Sequence, residues 1–426
     1  MDKTNNDGIK GDDFYKNSIF IFAASLIMNA TGYFYHFFVG RVLGPSAYGV
    51  LGTLLTILYI INVPFNTIQT TISKFTTNLK TNNEINSVNY LLRSSLKKIL
   101  IYSSIVFLGY IILSRFIADF LKITNILPVI LIGTLVVFAL LLAVTWGVIQ
   151  GLQMFKPLGY SMIIQGFIKL GLGVLLVLFG LGVNGAVIAI ALSFLLPFLL
   201  TLFTLKKYFS KGEKKYSTKD IFHYSIPVLI AMMSITLLFS LDVFLVKHYF
   251  SDIESGYYAA LAMLGKVIYF GSISIVYVMF PKVVELNTKK LPSKGILLKS
   301  LGIVFAFCGL ATMFYFIFPR FTVNLLFGKE FLSVVPLLGR FAIFMGLLSL
   351  IYVLIFYNLS VHKKSFIYIL IFFNIMEIVL FYFFHASINQ VVSVLLWLAI
   401  ALFIILMIYT FIVTKDETLN SNTGIQ

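Results

Sequence analysis

The sequence predicts an all-α polytopic membrane protein with twelve transmembrane helices in two six-helix lobes, and three observations predict it. First, 60% of the 426 residues are hydrophobic and only 11% are charged, with a mean hydropathy of +0.99. That balance excludes a soluble globular chain. Second, the chain offers twelve apolar runs, each near the roughly 20 residues that a hydrocarbon core about 30 Å thick requires. Third, the chain resembles itself at one constant shift of 208 residues, the mark of a duplicated unit.

The opening residues MDKTNNDGIKGDD are polar and acid-containing. They lack the charged, apolar, small-residue order of a cleavable signal, so the first apolar stretch is expected to be a retained span. The spans read as 15 to 39, 47 to 74, 96 to 121, 126 to 150, 157 to 180, 184 to 206, 219 to 247, 256 to 282, 296 to 318, 333 to 358, 364 to 385 and 388 to 413. The longest connections, near 76 to 95, 207 to 219 and 283 to 295, are too short to hold a domain. Whatever the protein does is expected to happen inside the bilayer.

Lysine and arginine concentrate in the even-numbered connections: Lys80, Arg93, Lys97 and Lys98, then Lys156, then KKYFSKGEKKYSTK, then Lys289, Lys290, Lys294 and Lys299, then Lys363 and Lys364. By the positive-inside rule both termini are cytoplasmic, and the formal charge of +16 is mostly this topological signal. No nucleic-acid partner is implied. The single cysteine, Cys308, lies in an apolar run, so neither a disulfide framework nor a cysteine metal site can be assembled. No cofactor and no metal are expected.

At the 208-residue shift Lys74 meets Lys282, Pro128 meets Pro336, Gln150 meets Asn358, Lys156 meets Lys364 and Lys169 meets Glu377. The reading is a lobe of residues 1–212 and a second of residues 213–426. Six is even, so both copies share one orientation and the pseudo-twofold axis runs along the membrane normal, with the site expected between the halves.

The stretch GRVLGPSAYGVL, residues 40–51, falls between spans one and two, where Gly-Pro-Ser supplies a turn and an N-cap. A proline-containing, polar-dotted helix follows it. Later come SLDVFLVKHYF, the step GYYAA and Phe280-Pro281. This series resembles the polysaccharide flippases of the MOP superfamily over nearly the whole chain. It departs from the family at Val243, where members commonly carry a basic residue after the aspartate. The resemblance implies a MATE-like fold in the plasma membrane of a prokaryote. It also implies export of a lipid-linked oligosaccharide from the cytoplasmic to the outer leaflet by alternating access. Such a protein is expected to act as a monomer alongside glycosyltransferases and a polymerase or ligase.

The residues can be read for that task on their own. The phosphate or diphosphate of a lipid-linked sugar is costly to desolvate, so its path needs cations and hydroxyl or amide donors. Span one places Asn29, Tyr33 and His36 on one stripe; span two places Asn62, Asn66, Gln69 or Thr70, and Ser73 on one face beside Pro64. Interhelical hydrogen bonding is the plainer reading of any one of them. Lys74 and Lys282 read either as snorkelling boundary lysines or as a two-sided basic entrance. Arg41 and Lys247 stand at the outer ends of spans one and seven, where positive-inside logic does not want them. Lys266 lies deeper in span eight.

Asp242 is the acid well inside span seven. Lys247, five positions on, is on the wrong face to pair with it, which leaves Lys266 or Arg41 as a counter-charge, or else a proton or sodium coupling role. The candidate substrate-binding set is therefore Asn29, His36, Arg41, Asn66, Lys74, Lys247, Lys266 and Lys282, with Asp242 as ion-coupling residue or cavity ion pair. Lys169 and Glu377 read as a scaffold pair or a second groove. A multidrug and toxin extrusion type antiporter is the alternative, and it would favour acids over bases in the lobes. A membrane glycosyltransferase would need carboxylates on a sizeable outer loop, whereas the outer loops near 181 to 184 and 386 to 389 span only a few residues.

Overall fold

A computed structural model describes residues 11–209, 219–289, 291–361 and 365–423. Lys290, Lys363, Lys364 and most of KKYFSKGEKKYSTK lie outside the described residues. Every described regular element is helical.

Helix α1 (Gly11–Thr81) is 71 residues long and leaves helical geometry inside only at Gly44, with φ 70° and ψ 175°. The expected Gly-Pro-Ser turn is thus compressed to one residue. Glycine takes that positive φ without a Cβ penalty, and Pro45 opens the second leg where a missing N–H costs nothing. Helices α2 (Ile85–Phe120), α3 (Ile126–Gly151) and α4 (Phe155–Leu176) follow. The Asn125 side chain caps α3 by accepting the Leu127 N–H at 3.0 Å. A π-helical turn at Val177–Leu181, with Gly180 at φ 84° and Gly182 at φ 52°, folds the chain into α5 (Gly182–Thr204).

Helices α6 (Lys219–Leu238) and α7 (Leu241–Tyr249) are two pieces of one span, bent by 41°. Helix α8 (Asp252–Thr288) starts with a capping box in which Ser251 and Glu254 satisfy each other's backbone, as the pairing of Ser and Glu three apart dictates. Helices α9 (Lys294–Ile317), α10 (Pro319–Leu326), α11 (Val335–Ser360), α12 (Phe366–Phe383) and α13 (Ile388–Thr423) complete the chain. Among the described residues nine helices are long and apolar enough to cross a membrane, and the bent α6–α7 pair makes a tenth. Two of the nine, α1 and the α4–α5 run, are each interrupted by a glycine break and count as two legs, so the legs number the twelve that the hydropathy pattern predicts. Ile112 and Phe179 are each 80% exposed, the surface expected of a lipid-facing protein.

The chain forms two compact units. One comprises the described parts of Met1–Val39, Pro64–Ala118 and Thr124–His223; the other comprises Gly40–Val63, Asp119–Ile123 and the described parts of Tyr224–Gln426. The grouping follows packing rather than chain order, since the segment around the α1 break packs with residues beyond 223.

In the first unit the second leg of α1 crosses α3 where glycines let the backbones close. A Cβ on Gly147 would lie 2.8 Å from the Gln69 carbonyl oxygen, and one on Gly151 would lie 2.6 Å from that of Ser73. At this crossing Gln69 donates to Gln150 at 3.0 Å. Trp146 donates to Ser161 at 2.8 Å. In the second unit Asn358 donates to the Thr410 hydroxyl at 2.7 Å. Gln150 and Asn358 are the repeat mates of the sequence reading, and both are interhelical amide contacts of the kind that hold membrane helices together.

Candidate functional site

In the first unit Asn29 and Asn66 are exposed, Tyr33 is half-buried and His36 is buried. His36 stands edge-on to Tyr35, with ring centroids 5.5 Å apart. Tyr35 is fully buried and its hydroxyl donates to the Ala186 carbonyl at 3.0 Å. Above that ring lies the ammonium of Lys169, 4.8 Å from the centroid. Lys74, near the end of the second leg of α1, is exposed.

In the second unit the break between α6 and α7 positions the acid. Asp242 is the second residue of α7 and fully buried, so its charge faces unpaired N–H groups of a helix start, where an anion is favoured. Its carboxylate accepts the Val243 N–H at 2.8 Å and the Tyr258 hydroxyl at 2.6 Å. Of the two counter-charges the sequence offered, Lys266 is the cation that acts electrostatically on it. Arg41 is engaged elsewhere: its guanidinium donates to the carbonyls of Asn324, at 2.7 Å, and Leu325. Those carbonyls end α10, where a cation meets both orphan acceptors and the negative end of the helix dipole.

Lys266 is 4% exposed. Its ammonium sits 4.4 Å from the Tyr59 ring centroid and 5.6 Å from that of Phe239. Lys247 is fully buried and forms an ion pair with Asp252 across the corner between α7 and α8. Lys282 is exposed and pairs with Glu285 at 2.9 Å. Glu377 on α12 is fully buried, and neither carboxylate oxygen has a hydrogen-bond partner among the described residues.

The second unit also shows what the α1 break is for. Gly49 and Gly52 on the second leg lie against the start of α8: a Cβ on Gly49 would come 2.7 Å from the Gly256 nitrogen, and one on Gly52 would come 2.6 Å from the Ala259 Cβ. A Cβ on Gly256 would sit 1.8 Å from the Pro45 carbonyl oxygen. Tyr48 packs edge-on against Phe327 and Phe331 at 5.3 and 6.0 Å. The motif GRVLGPSAYGVL is thus a docking segment whose glycines allow backbone-to-backbone approach and whose Arg41 and Tyr48 anchor it to the α10 corner.

The sequence reading found Lys266 and Asp242 but missed their seats, Tyr59, Phe239 and Tyr258. An aromatic that holds a cation from another helix carries no local signal. Lys169 was visible as a repeat mate of Glu377, yet the two fall in different units, and Lys169 rests on Tyr35.

With that geometry in view, residues 38–336 match the family model described as polysaccharide biosynthesis protein. Over 301 residues the chain is 25% identical to a membrane protein of Methanocaldococcus jannaschii, MJ1375, covering 66% of this chain and 70% of that protein. Among solved structures, an inward-facing multidrug resistance MATE family transporter of the MOP superfamily is similar with a TM-score of 0.81 at 12% identity, covering 95% of this chain and 99% of that one. An outward-facing transporter of the same description gives 0.67 at 14% identity, covering 94% and 96%. The match in fold extends nearly end to end, and the chain belongs to the polysaccharide biosynthesis protein family, built on the fold of the MOP-superfamily transporters.

Proposed function

We propose that this protein is a flippase that moves a polyprenyl-(pyro)phosphate-linked oligosaccharide from the cytoplasmic to the outer leaflet, for cell-surface glycan synthesis. It works by alternating access of two six-helix halves, residues 1–212 and 213–426, in the plasma membrane of a prokaryote with both termini cytoplasmic. The protein acts as a monomer beside glycosyltransferases and a polymerase or ligase. The observation that carries this reading is Lys266: a lysine buried within a span and seated on two aromatic faces. So costly a charge is retained where an anion must be met. Asn29, His36, Asn66, Lys74 and Lys282 extend the path with donors and cations. Arg41 and Lys247 serve it at the outer ends, and Asp242 is the residue that answers the Lys266 charge when no cargo is bound.

The test is reconstitution in vesicles holding a polyprenyl-diphosphate oligosaccharide, scored by the fraction of glycan reached by a membrane-impermeant glycosidase. Protein-dependent growth of that fraction is expected; none would sink the proposal.

A second reading is a cation-coupled multidrug antiporter, and the acids Asp242 and Glu377 of the second unit favour it. Proton- or sodium-driven uptake of a cationic dye in the same vesicles, without glycan movement, would select it.

A further inference from the structure

We infer that Lys169 and the Tyr35 ring beneath it form an anion-binding site for the phosphate of a lipid-linked substrate; the inference rests on the flippase reading and adds a residue outside the expected set. Lys169 lies fourteen residues into α4 and seven short of its end at Leu176, about 21 Å from the start at 1.5 Å per residue. It therefore stands well inside a span, where an ammonium is expensive unless it meets an anion or a wet cavity. Among the described residues no carboxylate pairs with it. What holds it is the Tyr35 face, 4.8 Å away.

That face is rigid. The Tyr35 hydroxyl is tied to the Ala186 carbonyl, and the ring lies so close to Gly173 that a Cβ there would fall 2.4 Å from it. The seat is thus built before any ligand arrives, and it engages one side of the ammonium while leaving its N–H groups for an acceptor. On the other helix Gly32 keeps the approach open: its Cβ position is 3.9 Å from the Lys169 Nζ, so a longer side chain there would cover the charge. Gly32 follows Asn29 by three residues on the same helix face, so the Asn29 amide stands one turn from the approach to Lys169. Gln165, one turn before Lys169, is buried. A lysine on a rigid aromatic seat, with its N–H groups facing outward, suits a phosphate or diphosphate, to which an ammonium binds as a compact point charge.

The experiment uses the full chain in phosphatidylcholine nanodiscs, with farnesyl diphosphate and farnesol as probes and inorganic pyrophosphate as competitor. Lys169→Met keeps the volume and packs on the ring through its thioether, while removing the charge. Wild type should bind farnesyl diphosphate more tightly than farnesol. Lys169→Met should lose about tenfold for the diphosphate, in keeping with one charge-assisted contact. It should bind farnesol unchanged and melt no lower than wild type, because an uncompensated intramembrane charge is gone. Lys169→Arg should keep most of the affinity. If Lys169→Met fails to fold, Gly32→Leu, which covers the ammonium, should reproduce the loss.

A Lys169→Met protein that binds both probes as wild type does overturns the site, and so does one that melts lower with affinity intact, the signature of a lysine that only braces the ring. Pyrophosphate that binds as tightly as farnesyl diphosphate overturns the lipid-linked assignment. Wild type blind to the diphosphate sinks the flippase reading as well, whereas discrimination by wild type that survives in Lys169→Met sinks only this inference.

Discussion

The ammonium of Lys266 rests over the ring of Tyr59, 4.4 Å from its centroid. A desolvated contact of this kind contributes about 2 kcal/mol. Tyr59 lies on the α1 segment that belongs to the second unit, so the seat joins residues remote in sequence. On the proposed flippase function Lys266→Glu should abolish export, because a carboxylate would repel an anionic cargo, while the protein still inserts and accumulates. Tyr59→Leu should reduce export less and lower the melting temperature. Surface glycan staining, with membrane protein measured by immunoblot, checks both; export at wild-type level in Lys266→Glu would show that the cation is not on the path.

Gly256 answers a different need. Any Cβ at that position meets the Pro45 carbonyl oxygen at 1.8 Å, so Gly256→Val should prise the segment 40–63 off the start of α8, at a cost of about 1–3 kcal/mol or more from overpacking. Ala259 is 5% exposed and covered by Gly52. In a background lacking Cys308, Ala259→Cys should resist a membrane-impermeant maleimide and become reactive once Gly256→Val is added. Equal labelling with and without Gly256→Val would mean that the segment yields without detaching.

Much of this architecture was legible in the chain. The twelve apolar runs outline the spans and Gly44-Pro45 marks one tight break, whereas the start of α8 was missed by four residues: it begins at Asp252 rather than 256 because Ser251 and Glu254 form a capping box there. The break between α6 and α7 was not legible, because LLFSLD contains no glycine or proline and reads as uninterrupted apolar helix. Asp242 therefore looked like an acid in mid-span, whereas it stands at a helix start with its carboxylate satisfied. The aromatic seats were hidden for a different reason. Contacts such as Lys266 on Tyr59 or Lys169 on Tyr35 join helices whose adjacency no local pattern encodes, and aromatics are so common in this chain, at 16%, that none stands out.

The orientation is open to direct measurement. Single cysteines at Asn83 and Ser387, again without Cys308, should separate cleanly in intact cells: position 387 labelled from outside, position 83 only after permeabilisation. Labelling of position 83 from outside would invert the topology and with it the direction of transport.

Tyr258 donates to Asp242 within the second unit at 2.6 Å. Removing one donor from a buried carboxylate costs about 1–3 kcal/mol, so Tyr258→Phe should lower the melting temperature. In Asp242→Asn the same change should cost less, because the charge that valued the donor has gone. A double-mutant cycle on thermal stability measures the coupling; additive effects would show that the hydrogen bond adds nothing.

The energetics of export bear on the same acid. Moving an anionic head group from inside to outside is downhill in an inside-negative membrane, by about 2.3 kcal/mol per charge per 100 mV. Two phosphate charges would supply roughly 4–5 kcal/mol if the protein's own cations do not travel with them. That bias needs no bound ion. On the proposed flippase function Asp242 would act in the return step: with no cargo present its carboxylate would answer the charge of Lys266, and arriving phosphate would compete for that cation. Asp242→Asn should consequently bind cargo at least as well as wild type and turn over more slowly. Reconstituted transport at zero and at imposed potential, for both proteins, decides the matter. Transport that ignores voltage, stops without a proton or sodium gradient, and loses that gradient dependence in Asp242→Asn would make Asp242 a coupling site and the potential-driven account wrong.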